Sequence, residues 1–272
     1  MRRHGSGHLI SGLALVMLLC LVVVLIGCSG GGGSEGALAM MKKLPRDAGG
    51  LSFTNVRALR DDKDFDKAYE TLKDLIDSDF QTLAISADDV DTMTEGGSLT
   101  MLEGHFDLAE VRTGLESNDY DKDEYKGVET WEGSDLSVAL ISGSFVVIGY
   151  GLDSVEDCVD VIKGDGDSLY DDEDLRDVLG RAPAGIGISV DSGLGFYEGL
   201  KAVANSGGKK DARTIWVASI FLFEDEDAAA VARVDIENGL KGTGVWQDIV
   251  VIQDRECVRC AADGDLENAS WG

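Results

Sequence analysis

The chain predicts an α+β fold, two ferredoxin-like-type repeats whose antiparallel sheets are covered by helices on one face. Three observations predict it. The only two prolines, Pro45 and Pro183, stand in similar settings, each leading through small residues into an apolar strand. Apolar spacings of three and four alternate along the chain with short runs of strand character. The same succession of strand, capped helix and hairpin signals then recurs in both halves.

The elements follow in order. After Pro45, Leu51 to Phe53 reads as a strand, and Phe65, Tyr69, Leu72, Leu75 and Ile76 keep helical spacing. Ser98 to Phe106 is a strand, and Asp107 caps a helix that carries Leu108, Val111 and Leu115 on one face. Gly127 to Trp131 leads into a hairpin of Ser137–Ile141 and Ser144–Ile148. A helix face follows at Val155, Cys158, Val159 and Ile162, then an acidic loop from Gly164 to Asp167 and a short helix around Asp172 to Leu179. After Pro183, Gly185 to Ile188 opens the second strand–helix succession, and the spacing of Phe196, Leu200 and Val203 predicts a helix. Thr214 to Phe223 is apolar on both faces and reads as a central strand. Asp225 to Asp227 start a helix through Ala229, Ala232, Ile236 and Leu240, and Gly244-Val245-Trp246 precedes a hairpin of 248–252 with 255–261.

The N-terminus carries an address. Arg2, Arg3 and His4 are basic, Leu9 to Gly27 has no charge, and the stretch ends Leu25-Ile26-Gly27-Cys28 before Ser29 and a glycine run. That ending resembles the lipobox of bacterial lipoproteins, in which a small residue precedes the modified cysteine. The resemblance implies a signal peptide over 1–27, diacylglyceryl and N-acyl lipid on Cys28, and a cell-membrane location with the body on the extracytoplasmic face. Two acyl chains hold a protein on a bilayer where one does not. An uncleaved anchor is the alternative, and the placement of the positive charge gives it the same topology. Residues 28–38 read as a flexible Gly/Ser tether, the first nine spanning about 15–18 Å. Repeat 1 occupies 39–163, an acidic connector with a short helix 164–181, and repeat 2 182–272. The layout across most of the body resembles that of uncharacterised bacterial lipoproteins with a repeated α+β body.

Charge excludes one class of partner. The 24 basic residues against 51 acidic ones leave −27, so nucleic acid would be approached with its own sign of charge. Apolar residues at 44% are enough for a packed core. Candidates for chemistry are few. His105 is the one histidine beyond the signal and has no serine nucleophile elbow to serve. Cys257-Val-Arg-Cys260 has metal or redox spacing, but on a strand its thiols face opposite sides. Outside the cytoplasm a disulfide joining Cys158 to Cys257 or Cys260 is one outcome, and buried free thiols are another. Asp119, Asp121 and Asp123 reproduce the first half of a calcium loop, although Glu124 and Thr130 stand where Gly and Glu belong. Gly207-Gly208-Lys209-Lys210 fails as a phosphate loop. These readings point to a non-enzymatic binding or envelope-structural role toward a protein or small-molecule partner, with no cofactor beyond the lipid. Solute or divalent-cation binding by the acidic loops is the alternative, and an envelope hydrolase is a third reading that rests only on plentiful carboxylates.

Overall fold

Antiparallel pairing organises the molecule throughout. The computed structural model describes residues 33–192, 195 and 197–265, in which seven α-helices and twelve strands are arranged in two compact units, Glu35–Glu173 and Asp174 onward. The signal, the lipobox with Cys28, and Phe196 lie outside the described residues.

The first unit begins with α1 (Gly33–Met41) and continues with β1 (Gly50–Thr54), α2 (Val56–Asp61) and α3 (Asp66–Asp79). Next come β2 (Val90–Gly96), β3 (Leu99–Gly104) and α4 (Leu108–Ser117), followed by β4 (Asp121–Tyr125) and β5 (Val128–Glu132). The hairpin of β6 (Ser137–Ser142) and β7 (Phe145–Gly149) leads into α5 (Leu152–Lys163). The strand order is β1-β2-β3-β7-β6-β5-β4. Local chemistry sets several boundaries. Asp107 Oδ1 accepts from the backbone N–H of Ala109 at 2.9 Å and starts α4. The β4–β5 turn has positive φ at both Lys126 (50°) and Gly127 (77°), the two-residue geometry whose twist matches that of paired strands.

Register shows which helix covers which face, because residues directly opposite share a side of the sheet. Phe53, Thr94, Met101, Val147, Ala139 and Thr130 form one such row. On it, the Cys158 thiol of α5 meets Met101 Sδ at 4.0 Å, and Gly36 of α1 packs on the Phe53 ring. Met93, Leu102, Val146, Leu140 and Glu129 form the opposite row, where α4 places Arg112 Nε 2.9 Å from Glu129 Oε1. Helices therefore cover both faces, not the single face the sequence predicts. Strands β6 and β7 carry the physical reason: their apolar residues are buried on both sides, and one layer of helices cannot shield two faces.

The expected tether also ends earlier than 38. Gly33–Met41 is helical because Ala37, Met40 and Met41 are fully buried. Each such methionine contributes about 1.5–3 kcal/mol, enough to offset the entropy of ordering a backbone that composition alone reads as a leash. The connector is likewise less separate than its acidity suggests. Arg46 N–H donates to the Asp167 carbonyl at 3.1 Å, and Leu169 N–H donates to that of Leu44 at 2.8 Å, tying 164–173 to the first unit.

The second unit contains α6 (Glu173–Arg181, whose first residue belongs to the first unit), β8 (Gly187–Ser192), β9 (Leu200–Lys209) and β10 (Thr214–Phe223). It continues through α7 (Glu226–Thr243), β11 (Gln247–Asp254) and β12 (Cys257–Asp265) in the strand order β11-β12-β10-β9-β8. The helix expected at Phe196, Leu200 and Val203 is corrected by this order, because 200–209 is β9. A central strand apolar on both faces needs a partner on each side, and β10 takes β9 and β12. That demand outweighs a three-residue helical spacing. Asp225 Oδ1 caps α7 by accepting from Ala228 N–H at 2.8 Å. Ala229, Ala232, Ile236 and Leu240 of that helix then pack with Val258, Cys260 and Ala262 of β12. Tyr197 meets Phe221 edge-on at 6.2 Å in the same cluster, and its burial pushes the phenol up to about 12. Cys257 faces the other side of β12, within electrostatic reach of Arg181 of α6, whose guanidinium bonds Asp177 at 2.7 Å.

Candidate functional site

The candidate site lies on the first unit, where the C-terminal half of α3 overhangs the ends of β2, β3 and β7. Register places Glu95, Thr100 and Ile148 side by side across these strands, with Met93 in the next row. Ile76 comes down from α3, and Phe80 follows directly after its last residue. The Tyr150 N–H donates to the Ser98 carbonyl at 3.1 Å, which fastens the end of β7 to the β2–β3 turn. Asp135 and Leu136, from the loop before β6, complete the rim. Together these residues enclose a cleft of about 380 Å³.

Its floor is apolar. Ile76, Phe80, Met93 and Ile148 are buried, while Leu75 and Tyr150 (73% exposed) stand at the opening. Among the described residues its charge is wholly negative: Asp79, Glu95 and Asp135 border it and no Lys or Arg does. Glu95 lies at an exposed rim position, yet crowding against the cleft wall strips water from its carboxyl and raises its pKa above the ordinary 4.5. The charge of Asp79 adds to that rise. Lys73, on the same helix, is committed elsewhere, to Asp88 at 2.9 Å and Asp77 at 3.8 Å. Ser98 Oγ donates to Ser154 Oγ at 2.9 Å. What this arrangement can do is hold a positive charge against an apolar wall.

A second exposed feature belongs to the second unit. Val250 and Ile252 of the edge strand β11 are 50% and 56% exposed on the face turned away from α7. Opposite them across the ladder stand Ala261 and Arg259, also exposed.

The residues singled out from sequence fall elsewhere. Cys158, Cys257 and Cys260 are free and buried, so of the two outcomes open from the sequence the structure has the unbridged thiols. Cys158 belongs to the first unit, where its thiol approaches the Lys43 carbonyl at 3.4 Å. Cys257 and Cys260 belong to the second unit and face opposite sides of β12, as the strand spacing predicts. Burial pushes the Cys158 thiol up to about 12 and that of Cys260 up to about 11, which makes both poor nucleophiles.

Secondary structure separates the three aspartates of the half calcium loop. Asp119 sits in a turn at φ 57°, but Asp121 and Asp123 are in β4, paired with Glu132 and Thr130 of β5. An extended strand cannot wrap its carboxylates around one ion as a loop does. Among the described residues no group of three or more His, Cys, Asp or Glu is gathered as a metal would require. His105 is 85% exposed, with Nε2 3.7 Å from Asp91 Oδ2. Sequence reasoning missed the cleft because its carboxylates come from α3, β2 and the loop before β6, far apart in the chain and unmarked among so many acids.

No protein-family model matches the chain, and no curated protein matches it. Among solved structures, the fold is similar to crystal form III of TP0453, with 8% identity and a TM-score of 0.55 over 85% of this chain and 96% of that one. Crystal form I of TP0453 gives 10% identity and 0.51 over 85% and 95%. At such identities the likeness shows the fold alone. Among the described residues no helix is long and apolar enough to cross a membrane.

Proposed function

We propose that this chain is a lipid-anchored binding protein of the bacterial cell envelope, non-enzymatic, held at the extracytoplasmic face of a membrane by acyl chains on Cys28. In this reading it recognises a small-molecule ligand in the cleft of its first unit. The observation that carries the binding role is the cleft itself, with an apolar floor and carboxylates at its mouth. The anchor rests on Leu25-Ile26-Gly27-Cys28 and the charge-free stretch before it.

The body is then a duplication. The first unit runs β1-β2-β3-β7-β6 across its sheet and the second β8-β9-β10-β12-β11, with α4 and α7 in matching places between the third strand and the hairpin. Among the described residues the first copy differs by the β4–β5 hairpin and by α2, α3 and α5. Since α3 forms the cleft's overhang, the added helices account for a site on one copy. Mass spectrometry of the native N-terminus tests the anchor. Wild type should begin at Cys28 bearing diacylglyceryl and N-acyl groups, and Cys28→Ser should retain the leader. An unmodified wild-type chain beginning at Met1 would overturn the proposal.

A further inference from the structure

The geometry points to a small organic ammonium ion with a short apolar tail as the ligand of the first unit's cleft, its charge between Asp79 and Glu95 and its tail on Met93 and Ile148. This deepens the binding role proposed above and rests on it.

Size comes first. A cleft of about 380 Å³ suits a small molecule, since such sites run from about 300 to 1,000 Å³. Charge comes next. Asp79 and Glu95 border the same cavity from different elements, and no Lys or Arg pairs with either among the described residues. Glu95 is crowded against the cleft wall, which raises its pKa, and repulsion from the Asp79 carboxylate adds to the rise. A bound monovalent cation would relieve that repulsion where water is already partly excluded.

The alternatives fit less well. An anion would add to the repulsion. A divalent metal would need oxygen ligands gathered around one point, and the described residues offer no such group. A neutral apolar ligand would cover Met93 and Ile148 but leave the carboxylates uncompensated, with their water displaced. The exposed ring of Tyr150 at the mouth adds a face that attracts a cation.

The test uses the full lipid-anchored chain in zwitterionic-lipid nanodiscs, with empty nanodiscs subtracted, and calorimetric titration of hexylammonium, 1-hexanol and hexanoate at matched ionic strength. Hexylammonium should bind saturably, one per chain, at least tenfold more tightly than hexanol, and hexanoate should not bind. Asp79→Asn with Glu95→Gln should weaken hexylammonium at least tenfold. Both side chains are at the rim, so the amides keep the shape. Asp121→Asn with Asp123→Asn, on β4 and separated from β3 by three strands, should change nothing. Equal affinity for hexanol would overturn the cation assignment while leaving the cleft as a binding site. Equal weakening by the β4 pair would reduce the effect to overall charge and overturn it too. No saturable binding by any probe would remove both the assignment and the cleft's binding role.

Discussion

Removing the Cys158 thiol should make the protein less sensitive to alkali. The side chain is buried between α5 and β3, and its pKa is pushed up to about 12 from an ordinary 9.0 by burial. The folded state therefore keeps its proton where the unfolded chain loses it. Stability from this group is fully present below about pH 9 and is lost as pH rises toward 12. At pH 10 the loss amounts to about 1.4 kcal/mol from Cys158 alone. Cys158→Ala should cost about 1 kcal/mol or more near pH 7 from the cavity it leaves. The gap to wild type should then narrow by about 1.4 kcal/mol at pH 10. Urea unfolding of both proteins from pH 7.5 to 10 measures the gap, and the difference between them cancels titrations they share. Parallel pH curves would refute the buried, protonated thiol. A thiol assay closes the second escape. In the native protein the Cys158 thiol should react about a thousandfold more slowly than an ordinary thiol, and the unfolded protein should release the three thiols of the body without reductant. If two of those three stay silent after unfolding, a disulfide exists and the structure's free cysteines are wrong.

Two further predictions rest on geometry. A Cβ on Gly104 would overlap the Asp89 carbonyl oxygen, a backbone atom that also accepts from His105 N–H at 2.8 Å. Gly104→Ala should therefore lower the urea midpoint by the equivalent of about 1–3 kcal/mol, and an unchanged midpoint would mean β3 does not approach Asp89 as described. Millimolar calcium should leave the melting temperature where a matched ionic strength leaves it, because Asp121 and Asp123 lie on a strand. A rise of several degrees abolished by Asp121→Asn would show that the loop forms after all.

Much of the local structure was legible in the amino-acid order. Asp107 and Asp225 announce helix starts because a short carboxylate can satisfy the free N–H groups of a first turn, and both do so. The continuous apolar run of Thr214–Phe223 marks a central strand, since only a strand with neighbours on both edges and cover on both faces can bury it. The opposite facing of Cys257 and Cys260 follows from the two-residue period of a strand. Other features needed partners that sequence does not name. Leu200 and Val203 hold helical spacing, yet the unpaired edge of β10 draws them into β9. Gly33 to Leu38 reads as a leash, yet Met40 and Met41 find a core that orders the helix around them. The candidate cleft is the extreme case, for Asp79, Glu95 and Tyr150 become one site only through the strand pairing and the overhang of α3. Capping, turns and periodicity are settled within a few residues of the chain and so can be read along it. Long-range pairing decides which distant carboxylates share one cavity, and it exists only once the sheet has formed.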